Sequence, residues 1–162
     1  MVKIEKKTEE ISRLDEIDRR ILNILAKDCR TKLTVIARDI GFSVDSIKKR
    51  IEKLEKNVIK KYTIQVNDKA MGLNIGVHVH VKLKNIEEDA YQEFVNEMLK
   101  NPRVIDIMAM LGDYDLFIVF NVKDNQEMEK IKMETRQKFG KIIDNWEESI
   151  TAKMYRLEEY RF

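Results

Sequence analysis

Among the 162 residues there is one cysteine, Cys29, and one proline, Pro102. A lone thiol closes no internal disulfide and builds no cysteine-clustered metal site. Histidine is almost as scarce, with only His78 and His80. No apolar run approaches the ~20 residues of a membrane span, and MVKIEKKTEE at the front holds no apolar stretch of signal-peptide length. A cytoplasmic protein with no membrane partner is expected. The chain also has no Ser-His-Asp signature, no glycine-rich phosphate loop and no HExxH, so neither a cofactor nor an enzymatic activity is expected.

What the chain does have is charge, unevenly placed. With 43% hydrophobic and 37% charged residues, it can build a core beneath an ion-crowded surface. Residues 1–61 carry 17 Lys/Arg against 11 Asp/Glu, and residues 62–162 carry 14 against 18, so the two stretches stand at +6 and −4. A basic front and an acidic back point to two modules, the first facing a polyanion.

Residues 1–13 are charged and weakly patterned, an arm or short extra helix. Asp15 then reads as a helix cap, and Ile17, Ile21, Ile24 and Leu25 form an apolar stripe at helical spacing. A short second helix places Leu33, Ile36, Ala37 and Ile40 inward and stops at Gly41. Ser43 caps a third, with Ile47, Ile51 and Leu54 inward and Lys48, Lys49, Arg50, Lys53 and Lys56 on the remaining faces. Two helices about a glycine turn, the second Ser-capped and basic, make a helix-turn-helix pattern. Its cations would neutralise phosphates, while Val44, Asp45, Ser46, Lys48 and Lys49 occupy the positions expected to reach base edges. The plainer reading is an amphipathic helix with a solvated lysine face.

From about residue 58 the period changes. VIKKYTIQV alternates and reads as a wing or a connecting strand. IGVHVHVKL alternates strictly, with Ile75, Val77, Val79, Val81 and Leu83 on one face and His78, His80 and Lys82 on the other. A helix marked by Tyr91, Phe94, Val95 and Met98 ends before Pro102, and strands follow at 104–111 and 115–122 about a turn at 112–114. Met128, Ile131, Thr135 and Phe139 trace a second helix ending at Gly140, and a last strand falls within 143–157. The order β-α-β-β-α-β is that of ferredoxin-like sandwiches, an antiparallel sheet with both helices on one face. The free face should then be polar, yet it offers Met108, Met110, Phe117 and Val119. A second copy of the chain covering that face is the simplest explanation; isolated surface apolar residues are the alternative.

Three smaller features have bland explanations. His78 and His80 share a strand face, but no third ligand stands at fixed spacing, so a polar strand face or subunit contact is favoured over a metal site. Cys29 follows a core stripe and reads as a small, partly buried residue. Asp113 and Asp115 flank Tyr114 with no histidine or third carboxylate nearby in sequence, which gives no support to acid–base chemistry.

Taken in order, LDEIDRRILNILAKDCR, IARDIGFS, IKKRIEKLE and a later GDYD resemble the Lrp/AsnC, or feast/famine, family of regulators, over about residues 14–157. The resemblance implies an α+β chain: an N-terminal winged helix-turn-helix followed by a ferredoxin-like βαββαβ domain that dimerises and often binds an amino acid. The expected division is an arm at 1–13, a helix-turn-helix domain at 14–61, a linker strand at 62–72 and a βαββαβ effector and oligomerisation domain at 73–162. Ser43 to Lys53 would be the recognition helix, with Arg50 and Leu54 matching the family's R-x-x-x-L. Gly112, Asp113, Tyr114 and Asp115 would line an effector pocket between dimers, with backbone N–H groups near Gly112 for a carboxylate and Asp115 for an ammonium group.

Three departures qualify the transfer. L-E-K-N-V-I is one residue shorter than the family's approach to the wing, and Asn57 is expected to replace its glycine in a left-handed conformation. Leu111 stands where relatives often carry Thr or Ser. Trp146 and Glu148 stand where relatives often carry threonines, and a buried Glu148 would favour a cationic ligand. The expected function is sequence-specific binding of double-stranded DNA by a homodimer, or by a tetramer or octamer of dimers, responsive to an amino-acid effector. The alternative is a stand-alone amino-acid-sensing or protein-interaction module without specific DNA binding.

Overall fold

The computed structural model of the protein describes residues 14–85, 87–157 and 160–162, so the arm expected at 1–13 lies outside them. The described residues divide into two compact units, one spanning Val66–Met154 and the other joining those up to Gln65 with those from Tyr155 onward.

The helical unit is built from α1 (Glu16–Lys27), α2 (Leu33–Ile40) and α3 (Val44–Asn57). Asp15 caps α1 by accepting the Asp18 N–H at 2.8 Å, satisfying one of the orphan donors of the first turn. The three apolar stripes close on a core of Ile21, Leu22, Ile36, Ala37, Ile40, Ile47, Ile51 and Leu54. Arg20 joins α1 to the end of α2 by donating to the Asp39 carbonyl at 2.9 Å.

Two expectations for the segment after α3 are corrected. Asn57 ends the helix without adopting a positive φ. The N–H groups of Val58 and Ile59 both close on the Leu54 carbonyl, at 2.7 and 2.8 Å, so the turn needs no left-handed residue. The alternating stretch that follows forms no strand: Val58 sits in a turn at ψ −50°, and residues 59–67 join no ladder. A strand requires a neighbour to receive its hydrogen bonds, and Ile64 is left 77% exposed.

The described residues 155–157 and 160–162, expected in the βαββαβ domain, group instead with the helical unit. The Asn23 amide donates to the Phe162 carbonyl at 3.0 Å and accepts the Phe162 N–H at 3.1 Å. Gln65 donates to the Leu157 carbonyl at 3.1 Å.

The sheet unit runs β1 (Ile75–Leu83), α4 (Glu88–Lys100), β2 (Val104–Ala109), β3 (Leu116–Val122), α5 (Asn125–Phe139) and β4 (Ile143–Ile150). The strands lie in the order β2-β3-β1-β4 and every pairing is antiparallel, as the β-α-β-β-α-β order predicts. Val77, Val79, Val81 and Leu83 of β1 and Leu116, Ile118, Phe120 and Val122 of β3 share one core with Phe94, Met98, Met128, Ile131 and Phe139 of the two helices. Full burial of side chains of this kind contributes about 1.5–3 kcal/mol each, which fixes the sheet's register. Asp124 starts α5 by accepting the Glu127 N–H at 2.8 Å.

Candidate functional site

In the helical unit, the link between α2 and α3 determines which way α3 presents itself. Gly41 closes α2 at φ 85°, a backbone region that suits glycine, and its N–H and that of Phe42 both donate to the Ala37 carbonyl. Ser43 then caps α3 by accepting the Ser46 N–H at 3.2 Å. With Ile47, Ile51 and Leu54 buried, the opposite side of α3 carries Lys48, Lys49, Lys53 and Lys56, all exposed, with Val44 and Asp45 exposed at its start. Ser46 is half-buried, and Lys48 reaches Glu52 only at 4.0 Å. The surface is therefore a capped helix start followed by unburied cations, an arrangement suited to phosphate oxygens.

Arg50 does not belong to that surface. Its Nη1 lies 2.7 Å from a carboxylate oxygen of Asp15 and 2.7 Å from one of Asp18. Asp18 is 4% exposed. The Asp18 backbone N–H, followed by the Arg50 guanidinium, holds the Asp15 carboxyl below its ordinary value, and the two carboxylates raise Arg50. The sequence contained the signal: Arg50 is three residues after Ile47 and four before Leu54, on the edge of the inward stripe.

In the sheet unit, the loop between β2 and β3 turns on Gly112, whose φ of 150° few other residues tolerate. The Met110 N–H donates to the Asp115 carbonyl and the Asp115 N–H to the Val81 carbonyl, each at 2.9 Å. Asp115 Oδ2 accepts the Leu83 N–H at 2.7 Å and lies 3.5 Å from Lys82 Nζ. Its carboxylate thus anchors the loop to the end of β1. Asp113 is exposed. The Tyr114 hydroxyl donates to Glu147 of β4, which raises the phenol's pKa, and its ring packs 5.2 Å from that of His80.

Glu148 is not brought to this loop. It pairs across β1 with Val79, on the helix-covered face, where Lys132 of α5 lies 3.1 Å away and the Trp146 indole N–H donates to it at 2.6 Å. Glu147, opposite His80, is the acid that the loop meets. Strand period already links Glu148 to buried Trp146 two residues earlier, and that alternation was the available sign.

The open sheet face carries Phe117 and Val119 of β3, both half-buried, beside Met108 and Met110, exposed by 43% and 42%. His80 and His78 pack on the Phe117 ring at 4.9 and 5.5 Å, and His78 Nε2 is 2.7 Å from Thr151 Oγ1. Among the described residues no group of three His, Cys, Asp or Glu is arranged to hold a metal ion, and no helix is long and apolar enough to cross a membrane.

Comparisons with known proteins bear on both units. Residues 14–55 match the AsnC-type helix-turn-helix domain, and residues 76–145 the Lrp/AsnC ligand binding domain. The HTH-type transcriptional regulator FL11 of Pyrococcus furiosus is 34% identical over 116 residues, 71% of this chain and 75% of its own. A second HTH-type transcriptional regulator of that organism is 30% identical over 146 residues, 83% of this chain and 94% of its own. The fold is that of a transcriptional regulator from Neisseria meningitidis solved as an L-Met complex, with TM-score 0.82, 18% identity and coverage of 90% of this chain and 94% of that one. Escherichia coli AsnC superimposes with TM-score 0.80 at 22% identity, covering 92% of this chain and 99% of its own.

Proposed function

This chain belongs to the Lrp/AsnC family of transcriptional regulators, in which a helix-turn-helix DNA-binding domain is joined to a ligand-binding domain, and we propose that α3 is the helix it lays in the major groove of double-stranded DNA. The observation that carries this reading is the Ser43-capped start of α3 followed by Lys48, Lys49 and Lys53 on its exposed side. Val44, Asp45 and Ser46 stand at the helix start, where base edges are read, and the lysines meet phosphates. Arg50 is withdrawn from this set by its two carboxylate partners.

The protein works as a homodimer, or as an assembly of dimers, so that two α3 helices address two half-sites in successive major grooves. The apolar sheet face around Phe117, Val119, Met108 and Met110 supports self-association, since an exposed patch of this kind is unusual on a monomer. The effector is an amino acid or similar zwitterion held near Gly112, Asp113 and Tyr114, where loop backbone donors and the Tyr114–Glu147 pair stand together. Effector binding then shifts the assembly and, through it, occupancy of the operator. Asp115 serves as the loop's anchor, and Glu148 stays with Lys132.

Promoter fragments titrated over a range of salt concentrations test the DNA reading. Replacing Lys48, Lys49 and Lys53 together by Ala is expected to weaken binding and reduce the slope of log K against log[salt] by about two to three. An unchanged affinity and slope would remove α3 from the groove.

A further inference from the structure

Arg50 sits in the second turn of α3, yet its guanidinium is directed to the N-terminus of α1. One nitrogen, Nη1, serves both Asp15 Oδ2 and Asp18 Oδ1 at 2.7 Å. The two acids have different standing. Asp15 is the N-cap of α1, its other oxygen already accepting the Asp18 N–H. Asp18 is buried, its side chain 6% exposed, and a buried carboxylate without a cation is costly to keep. So the cation is required where it is, and so is the helix that carries it. Two negative charges against one positive leave the cluster at −1, a sign that the amino end of α1 favours.

We infer that Arg50 is a positioning residue for DNA binding: clamped by Asp15 and Asp18, it fixes the crossing of α3 on α1 and hence the direction in which Lys48, Lys49 and Lys53 face the groove. The apolar contacts of Ile47, Ile51 and Leu54 hold α3 against the core, but such contacts are non-directional. The charge-assisted bonds of Arg50 tie one turn of α3 to one turn of α1. The inference rests on α3 being the groove-binding helix, and it separates two roles that a row of basic residues in sequence does not distinguish.

The sign of one substitution makes the test sharp. Asp18→Asn removes a negative charge from a DNA-binding unit, so long-range electrostatics alone would tighten DNA binding, whereas loss of the clamp would weaken it. The full-length protein and its Lys49→Ala, Arg50→Gln, Arg50→Lys, Asp18→Asn and Asp18→Asn/Arg50→Gln variants are titrated with one promoter fragment across salt, well below each variant's melting temperature.

Lys49→Ala is expected to lower the salt slope by about one; if it does not, the groove assignment of α3 fails independently of the clamp. Arg50→Gln and Asp18→Asn should each weaken binding several-fold with the slope unchanged. The double variant should be no weaker than the worse single one, because both remove the same clamp. Arg50→Lys should recover part of the loss. Should Arg50→Gln not fold, Asp18→Asn and Arg50→Lys carry the comparison. The inference is overturned if Arg50→Gln lowers the slope by about one as Lys49→Ala does, or if Asp18→Asn tightens binding. It is equally overturned if these variants lose thermal stability but keep full DNA affinity.

Discussion

Single residues here are often decided by what a neighbouring backbone group requires. Gly112 adopts a φ of 150°, and a Cβ added to it would meet no atom within 4 Å, so the cost of replacement is conformational alone. Gly112→Ala is expected to lower the stability of the sheet unit by about 1 kcal/mol or more, read as an earlier thermal transition in the fluorescence of Trp146. Asp15 is held below its ordinary value of 3.8, first by the Asp18 N–H and then by Arg50. The folded helical unit therefore binds that proton more weakly than the unfolded chain. The resulting stabilisation is complete above that ordinary value and disappears as the pH falls through it and below. Acid titration of the helical circular dichroism should steepen below about pH 4, and Asp15→Asn should flatten that slope. At this scale the sequence was legible for caps: Asp15, Ser43 and Gly41 each serve as their residue types predict. It was less legible for charges, because the partner of an Arg or Glu is chosen by three-dimensional proximity. Arg50 faces inward, and Glu148 lies on the helix-covered face with Lys132, opposite the face where Glu147 meets Tyr114.

At the level of elements, hydrophobic period was the dependable guide. The stripes at 3.6-residue spacing are α1, α2 and α3, and the strict alternation of IGVHVHVKL is β1. The failure came at VIKKYTIQV, whose alternation is genuine but which finds no strand beside it. Period reports which faces a segment has, and pairing depends on what lies next to it. Ile47 is fully buried in the core of the helical unit, whereas Trp146, the one tryptophan, is buried in the sheet unit. Ile47→Ala should cost about 2–5 kcal/mol, a large share of what a three-helix unit possesses. The expected result is a lowered far-ultraviolet helix transition with the Trp146 fluorescence transition unmoved. A common shift of both would show that the two units melt together.

For the whole molecule, what matters is which surfaces stay uncovered. The sheet buries one face under α4 and α5 and leaves Phe117, Val119, Met108 and Met110 on the other. Phe117→Lys places a charge at the centre of that patch and leaves the helix-side core intact. It should weaken self-association at least about tenfold, measured as a loss of mass in sedimentation; an unchanged mass would place the subunit contact elsewhere. By itself the sequence determined the two modules, the order of their elements, the faces those elements bury and the sign of the charge on each module, because all of these follow from local period, caps and composition. Tertiary structure alone decided that Arg50 clamps α1, that Glu147 and not Glu148 meets Tyr114, and that the residues from Tyr155 onward join the helical unit. Each of these depends on which distant groups come within 3 Å or so of one another, a distance set by packing and strand register and not by separation along the chain.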